Sequence, residues 1–168
     1  MSERGVPLAA LTAVVAGAPS RVFGAQAAGC APIVRAVRAG GDRIEPVVPD
    51  TIARSLAIGN PADGALAVRA ILESGGWAAA VSDEELIDGI QRLAAYTGIF
   101  AETAGGVTVA AAGALARAGK LSPEDEVVLC VTGHGLKTVE AAEATLNAAA
   151  TIPPKVGAVA RLVDETAA

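Results

Sequence analysis

The sequence is poor in aromatic side chains, histidine, cysteine and basic clusters, and each scarcity excludes something. Only Phe23, Trp77, Tyr96 and Phe100 are aromatic among 168 residues, so a core has to be built from Ala, Val, Leu and Ile. Such a core suits helices packed closely on a sheet. The one histidine, His134, and two cysteines, Cys30 and Cys130, lie far apart and lack metal-type spacing. They read as a turn residue and a pair of reduced, buried thiols in a cytosolic protein rather than as a zinc site. Net charge is −5 and no cluster of Lys and Arg stands out, which argues against binding nucleic acid by phosphate neutralisation. Nor is there a run of about 18 apolar residues, the length a spanning helix needs.

What the chain has is apolar content, 52% of residues against 18% charged. That is the balance of one globular domain, not of a disordered segment. The opening Arg4 followed by VPLAALTAVVAGAPS has the outline of a signal peptide, with Ala-Gly-Ala at 16–18. Glu3 weakens its basic end, and the same residues read as an amphipathic or buried helix.

Short β-rich runs alternate with longer Ala/Leu-rich ones. Arg21–Gln26 reads as a strand, Ala31–Gly40 as a helix opened by Pro32 and stopped at Gly40, and Gly64–Gly76 as a second helix. Trp77–Ser82 reads as another strand. Ser82-Asp-Glu-Glu85 is a capping box, in which hydroxyl and carboxylate satisfy two otherwise orphaned amides of a new helix. Val107–Gly119 follows as a helix, Glu126–Val131 as a strand and Val139–Ala148 as a last helix, with Pro153 and Pro154 closing the regular part. Strands apolar on both faces alternating with helices predict an α/β fold, a parallel sheet covered by helices. Ligands of such sheets sit at the carboxyl ends of strands. That rule draws attention to Thr132, which ends the most apolar strand just before Gly133, His134 and Gly135.

Taken singly these residues say little. Thr132 serves as well for a turn or helix cap, Lys137 for an anion contact or a solvated surface, and Glu102 for the dipole at a helix start. In series they say more. Gln26-Ala-Ala-Gly-Cys30-Ala-Pro32, Thr51-Ile-Ala53 with Ile58-Gly-Asn-Pro61, Ser82–Glu85, Gly98-Ile-Phe100 with Glu102-Thr-Ala-Gly-Gly106, and Thr132-Gly-His-Gly-Leu-Lys137 occur in this order. The series resembles the C-terminal portion of threonine synthase, a pyridoxal-phosphate enzyme of fold type II, the tryptophan synthase β-like family. Thr151-Ile-Pro-Pro154 is similar to the end of its actinobacterial-type members.

That resemblance implies part of the large domain of a fold type II enzyme, with pyridoxal 5′-phosphate as cofactor. It also implies a lyase chemistry, O-phospho-L-homoserine and water to L-threonine and phosphate. Thr132 matches the hydroxyl that faces the pyridine nitrogen, Gly133 the close backbone beside it, Glu102 and Thr103 the neighbouring turn, and Ala53 a place near the substrate. The family's Schiff-base lysine, in a Ser-x-Lys-Asp-type motif, has no counterpart at Lys120, Lys137 or Lys155, so no catalytic residue is assigned. Its Gly/Asn-rich phosphate loop has no counterpart either.

Three segments follow: an N-terminal helical segment at 1–20 in place of the phosphate loop, the C-terminal part of the cofactor-binding domain at 21–154, and a tail at 155–168. The chain alone is expected to be inactive, with a partner chain supplying the missing half, or a homodimer, completing it. Neither a nucleic acid nor a membrane is an expected partner, and the location is cytoplasmic. A degenerate binding or assembly subunit and a portion of a threonine or serine dehydratase are the alternatives. The Thr-Gly-His-Gly-Leu-Lys element speaks against the dehydratase.

Overall fold

Glycine stops and one capping box set the element boundaries. The computed structural model describes residues 20–143 and 151–166. Strand β1 (Gly24–Ala27) leads through a 3-10 turn into helix α1 (Pro32–Ala39). That helix starts on a proline whose missing N–H costs nothing there. It is held by the Gln26 side chain, whose Oε1 accepts from Val34 N at 3.0 Å, and ends at Gly40 in the left-handed region, φ 70°. Helix α2 (Gly64–Glu73) runs out before Gly75, also left-handed. Strand β2 (Ala78–Val81) then pairs with β1 in parallel, Gly24 opposite Ala78 and Ala27 opposite Val81.

The strand alternation divides the core. Ala78 faces α1 and α2 with Val34, Val37, Val68 and Ile71. Ala79 and Val81 face the other side, against Leu86, Ile90, Val107, Ala111 and Leu115. Those last five come from α3 (Asp83–Thr97) and α4 (Thr103–Arg117). This is the expected α/β arrangement, a parallel pair of strands with helices on both faces.

The capping box at the start of α3 forms in full. Ser82 Oγ accepts from Glu85 N at 3.2 Å, and Glu85 Oε2 accepts from Ser82 N at 2.8 Å. Ser82→Ala is expected to cost about 1 kcal/mol, the usual worth of an N-cap hydroxyl. Chemical denaturation should show it as a lower midpoint at unchanged slope.

Four sequence expectations need correction. Helix α4 starts at Thr103, four residues before the expected Val107, because Gly105 and Gly106 sit inside it rather than in a loop. Their lack of side chains lets α4 meet α3: a Cβ at Gly106 would overlap the Leu86 carbonyl and lie 2.7 Å from Ile90 Cγ1. That packing outweighs glycine's poor helix propensity.

Second, Glu126–Val131 is no strand. It has no ladder partner among the described residues, leaving Val128 82% exposed. β-rich composition makes a strand only where a neighbour offers its amides and carbonyls.

Third, regular structure does not close at Pro153 and Pro154, since α6 (Val156–Thr166) follows within the tail at 155–168. Fourth, Cys130 is exposed, while Cys30 is buried as expected, and both are free. Of the last expected helix, α5 (Val139–Glu143) is described, and its continuation to Ala148 lies outside the described residues. So does the N-terminal helix or leader, apart from residue 20. Among the described residues no helix is long and apolar enough to cross a membrane.

Candidate functional site

The turn from Thr132 to Thr138 is stitched to the residues that open α4. Ala101 and His134 form an antiparallel bridge. Gly135 N donates to the Phe100 carbonyl at 2.9 Å, and Glu102 N donates to the Gly133 carbonyl at 3.2 Å. One more bond ties the far end, from Thr103 N to Thr138 Oγ1 at 3.2 Å.

Side chains reinforce this seam. His134 Nδ1 accepts from Leu136 N at 3.2 Å, and its ring meets Phe100 edge-on with centroids 6.1 Å apart. His134 thus shapes the turn, which agrees with the plainer reading of it. A Cβ at Gly135 would come within 2.5 Å of the Phe100 ring, so the second glycine serves close approach.

Gly133 is held more tightly still. Its φ is 76°, in the left-handed region, and a Cβ there would overlap Glu102 Oε1. Glu102 itself is buried, 4% exposed. Its other oxygen, Oε2, receives Lys137 Nζ at 2.8 Å. Thr132 immediately precedes this fixed point. It is exposed, and its hydroxyl makes no hydrogen bond among the described residues.

The structure therefore brings Thr132, Gly133 and Glu102 into one place. It does not put Thr132 at the end of a paired strand: the residue follows the unpaired Glu126–Val131 segment. Ala53 lies apart from them. Its side chain is fully buried with Ala27, Val81 and Leu86, and its N–H donates to Thr51 Oγ1 at 3.1 Å.

The Ala53 loop nevertheless faces the turn. Thr51, Ile52 and Arg54 on one side and Thr138 and Glu140 on the other line a cleft of about 330 Å³. Asp83, read in the sequence only as part of the capping box, secures that loop. Its carboxylate accepts from Thr51 Oγ1 at 2.6 Å and from Ile52 N at 3.0 Å.

Sequence reasoning missed two pairings, Asp83 with Thr51 and Lys137 with Glu102. Their partners lie 32 and 35 residues apart, beyond any local spacing rule. Thr103 carries a buried hydroxyl with no hydrogen-bond partner among the described residues.

The resemblance implies pyridoxal phosphate, and one donor here is of a kind that can meet its ring. The free hydroxyl of Thr132 beside a glycine backbone suits a pyridine nitrogen. The amines of Lys137 and Lys120 are engaged elsewhere, with Glu102 and 4.4 Å over the Trp77 ring.

Known proteins match this chain over most of its length. Threonine synthase of Methanocaldococcus jannaschii is 41% identical over 123 residues, which is 73% of this chain and 30% of that one. Threonine synthase of Methanosarcina acetivorans is 40% identical over 118 residues, 70% and 29% of the two chains. That of Mycobacterium tuberculosis is 35% identical over 134 residues, 79% and 35%. The chain thus spans about a third of the length of these curated relatives. A solved structure of maize serine racemase overlaps 55% of this chain and 28% of its own at 22% identity, with a TM-score of 0.46, too low to carry an argument. Residues 5–133 match the family of pyridoxal-phosphate dependent enzymes, and the chain belongs to that family.

Proposed function

We propose that this chain is a portion of a threonine synthase-type lyase, acting in the conversion of O-phospho-L-homoserine and water to L-threonine and phosphate. The identity to threonine synthases supports the reaction. One observation carries the site: the left-handed turn at Gly133, fixed by Glu102, presents the unpartnered Thr132 hydroxyl to whatever lies beside it.

Pyridoxal phosphate, when bound, supplies an electron sink. The Thr132 hydroxyl would donate a hydrogen bond to the ring nitrogen. Unlike a carboxylate, it would not hold a proton there, and so it would temper how far charge is drawn into the ring. Gly133 and Gly135 let the turn close on Glu102 and Phe100, which fixes the backbone beside Thr132. Asp83 holds the Thr51–Ala53 loop across the cleft. With no lysine of this chain assigned to the cofactor aldehyde, no group in it moves a proton at the reacting carbons, and the chain by itself does not turn over.

Two measurements test this reading. The purified chain, given pyridoxal phosphate and O-phospho-L-homoserine, is expected to release no phosphate above a protein-free blank. Release at about 1 s⁻¹ or more, an ordinary enzymatic rate, overturns the inactivity. Residues 21–168 joined in frame behind the lysine-bearing portion of a threonine synthase are expected to restore release, and Thr132→Ala in that fusion to lower it about tenfold, the worth of one hydrogen bond. A fusion that folds and binds the cofactor without releasing phosphate favours a non-catalytic binding or assembly subunit instead.

A further inference from the structure

The Glu102 carboxylate occupies an unusual place for a residue at the N-cap of a 15-residue helix. An N-cap carboxylate ordinarily accepts from the amides of the first turn, yet Glu102 makes no side-chain cap bond to α4. Its carboxylate turns away from the helix and wedges between the two ends of the Thr132–Thr138 turn. Oε1 fills the space where Gly133 would carry a Cβ, and Oε2 meets Lys137 Nζ at 2.8 Å. The side chain of Glu102 is 6% exposed and that of Lys137 60%. A buried carboxylate is costly unless it is paired, and Lys137 is the cation that the described residues supply to it.

We propose that Lys137 is the positioning residue of this turn: by neutralising Glu102 it keeps that carboxylate seated against Gly133 and so fixes where Thr132 points. The inference takes its functional meaning from the reading of Thr132 as the ring-facing hydroxyl, while its structural content stands on the contacts alone. A lysine that only solvated the surface would leave the turn indifferent to its removal. An N-cap carboxylate that served only the helix dipole would swing back onto the amides of α4.

Amide hydrogen exchange on the full 168-residue chain separates these outcomes. In Lys137→Met, protection of the Glu102 and Gly135 amides is expected to fall about tenfold, between the small effect of losing an exposed pair and the large one of stranding a buried charge. Protection of Ile90 and Val107, in the α3–α4 core, should hold. Lys137→Arg should keep protection near that of the parent chain. The double variant Glu102→Gln with Lys137→Met should regain most of it, because no unpaired charge is left buried.

Unchanged protection in Lys137→Met, or no recovery in the double variant, overturns the proposal. If Lys137→Met does not fold, the double variant decides alone: folding with a protected turn supports the pairing, and failure to fold refutes it. Thr132→Val touches none of these contacts and should leave exchange as it is. If it also leaves the absorption spectrum of the cofactor-loaded fusion unchanged, the ring-facing reading fails while the role of Lys137 stands.

Discussion

Leu86→Ala is expected to lower the stability of the chain by about 3 kcal/mol, within the range for emptying a packed leucine site. Leu86 is fully buried at the middle of the larger core cluster, among Val81, Ile90, Val107, Ala111 and Leu115. How much a truncation costs depends on whether the neighbours can close on the cavity, and here they are already at their limit. A Cβ at Gly89 would overlap the Gly106 carbonyl, and one at Gly106 would overlap the Leu86 carbonyl. Helices α3 and α4 therefore touch backbone to backbone and cannot move closer. The cavity stays open, so relaxation of the neighbours does not pull the cost below this figure. Followed by circular dichroism, the melting temperature should drop by about 6–12 °C, using the usual sensitivity for a chain of this size. A drop of under about 2 °C would mean that the glycine contact yields and that α3 and α4 can slide.

That glycine contact also shows where the sequence could and could not be read. Signals confined to one turn were legible. Pro32 and Gly40 bracket α1, Ser82 and Glu85 open α3, and the short apolar run at Ala78–Val81 is the strand it resembles. The helix signals among these satisfy their amides locally.

Signals whose meaning depends on a distant partner were not. Gly105 and Gly106 look like a loop because a glycine pair gives up helix propensity, and only the Leu86 carbonyl lying against them explains the helix. Glu126–Val131 has a strand's composition, but no neighbour among the described residues completes its ladder. The site divides in the same way. The glycines around His134 marked a close backbone approach, and Thr132 stood out beside them. That Glu102 and Lys137 meet across 35 residues, or that Ala53 turns its methyl into the core, follows from the packing of α4 against the sheet and from nothing in the local pattern.

Gly133→Ala is expected to disrupt the turn by about 3 kcal/mol, of which the backbone accounts for the smaller share. Holding alanine in the left-handed region costs about 1 kcal/mol. The remainder, about 2 kcal/mol, comes from forcing a methyl group onto the Glu102 carboxylate, a close-packed site in which overpacking is costly. Gly119 is the internal reference: its φ is 66°, and a Cβ there would meet nothing within 4 Å. Gly119→Ala should therefore show the backbone cost alone. Glu102→Ala should relieve the overlap in Gly133→Ala, so that the double variant loses little more than Glu102→Ala does by itself, a coupling that a double-mutant cycle measures. Because the turn can open while the α3–α4 core stays folded, the loss is best read from exchange of the Glu102 and Gly135 amides, with global melting as the control. Equal losses in Gly133→Ala and Gly119→Ala would show that the carboxylate moves aside freely, and Glu102 would then have no hold on the turn that presents Thr132.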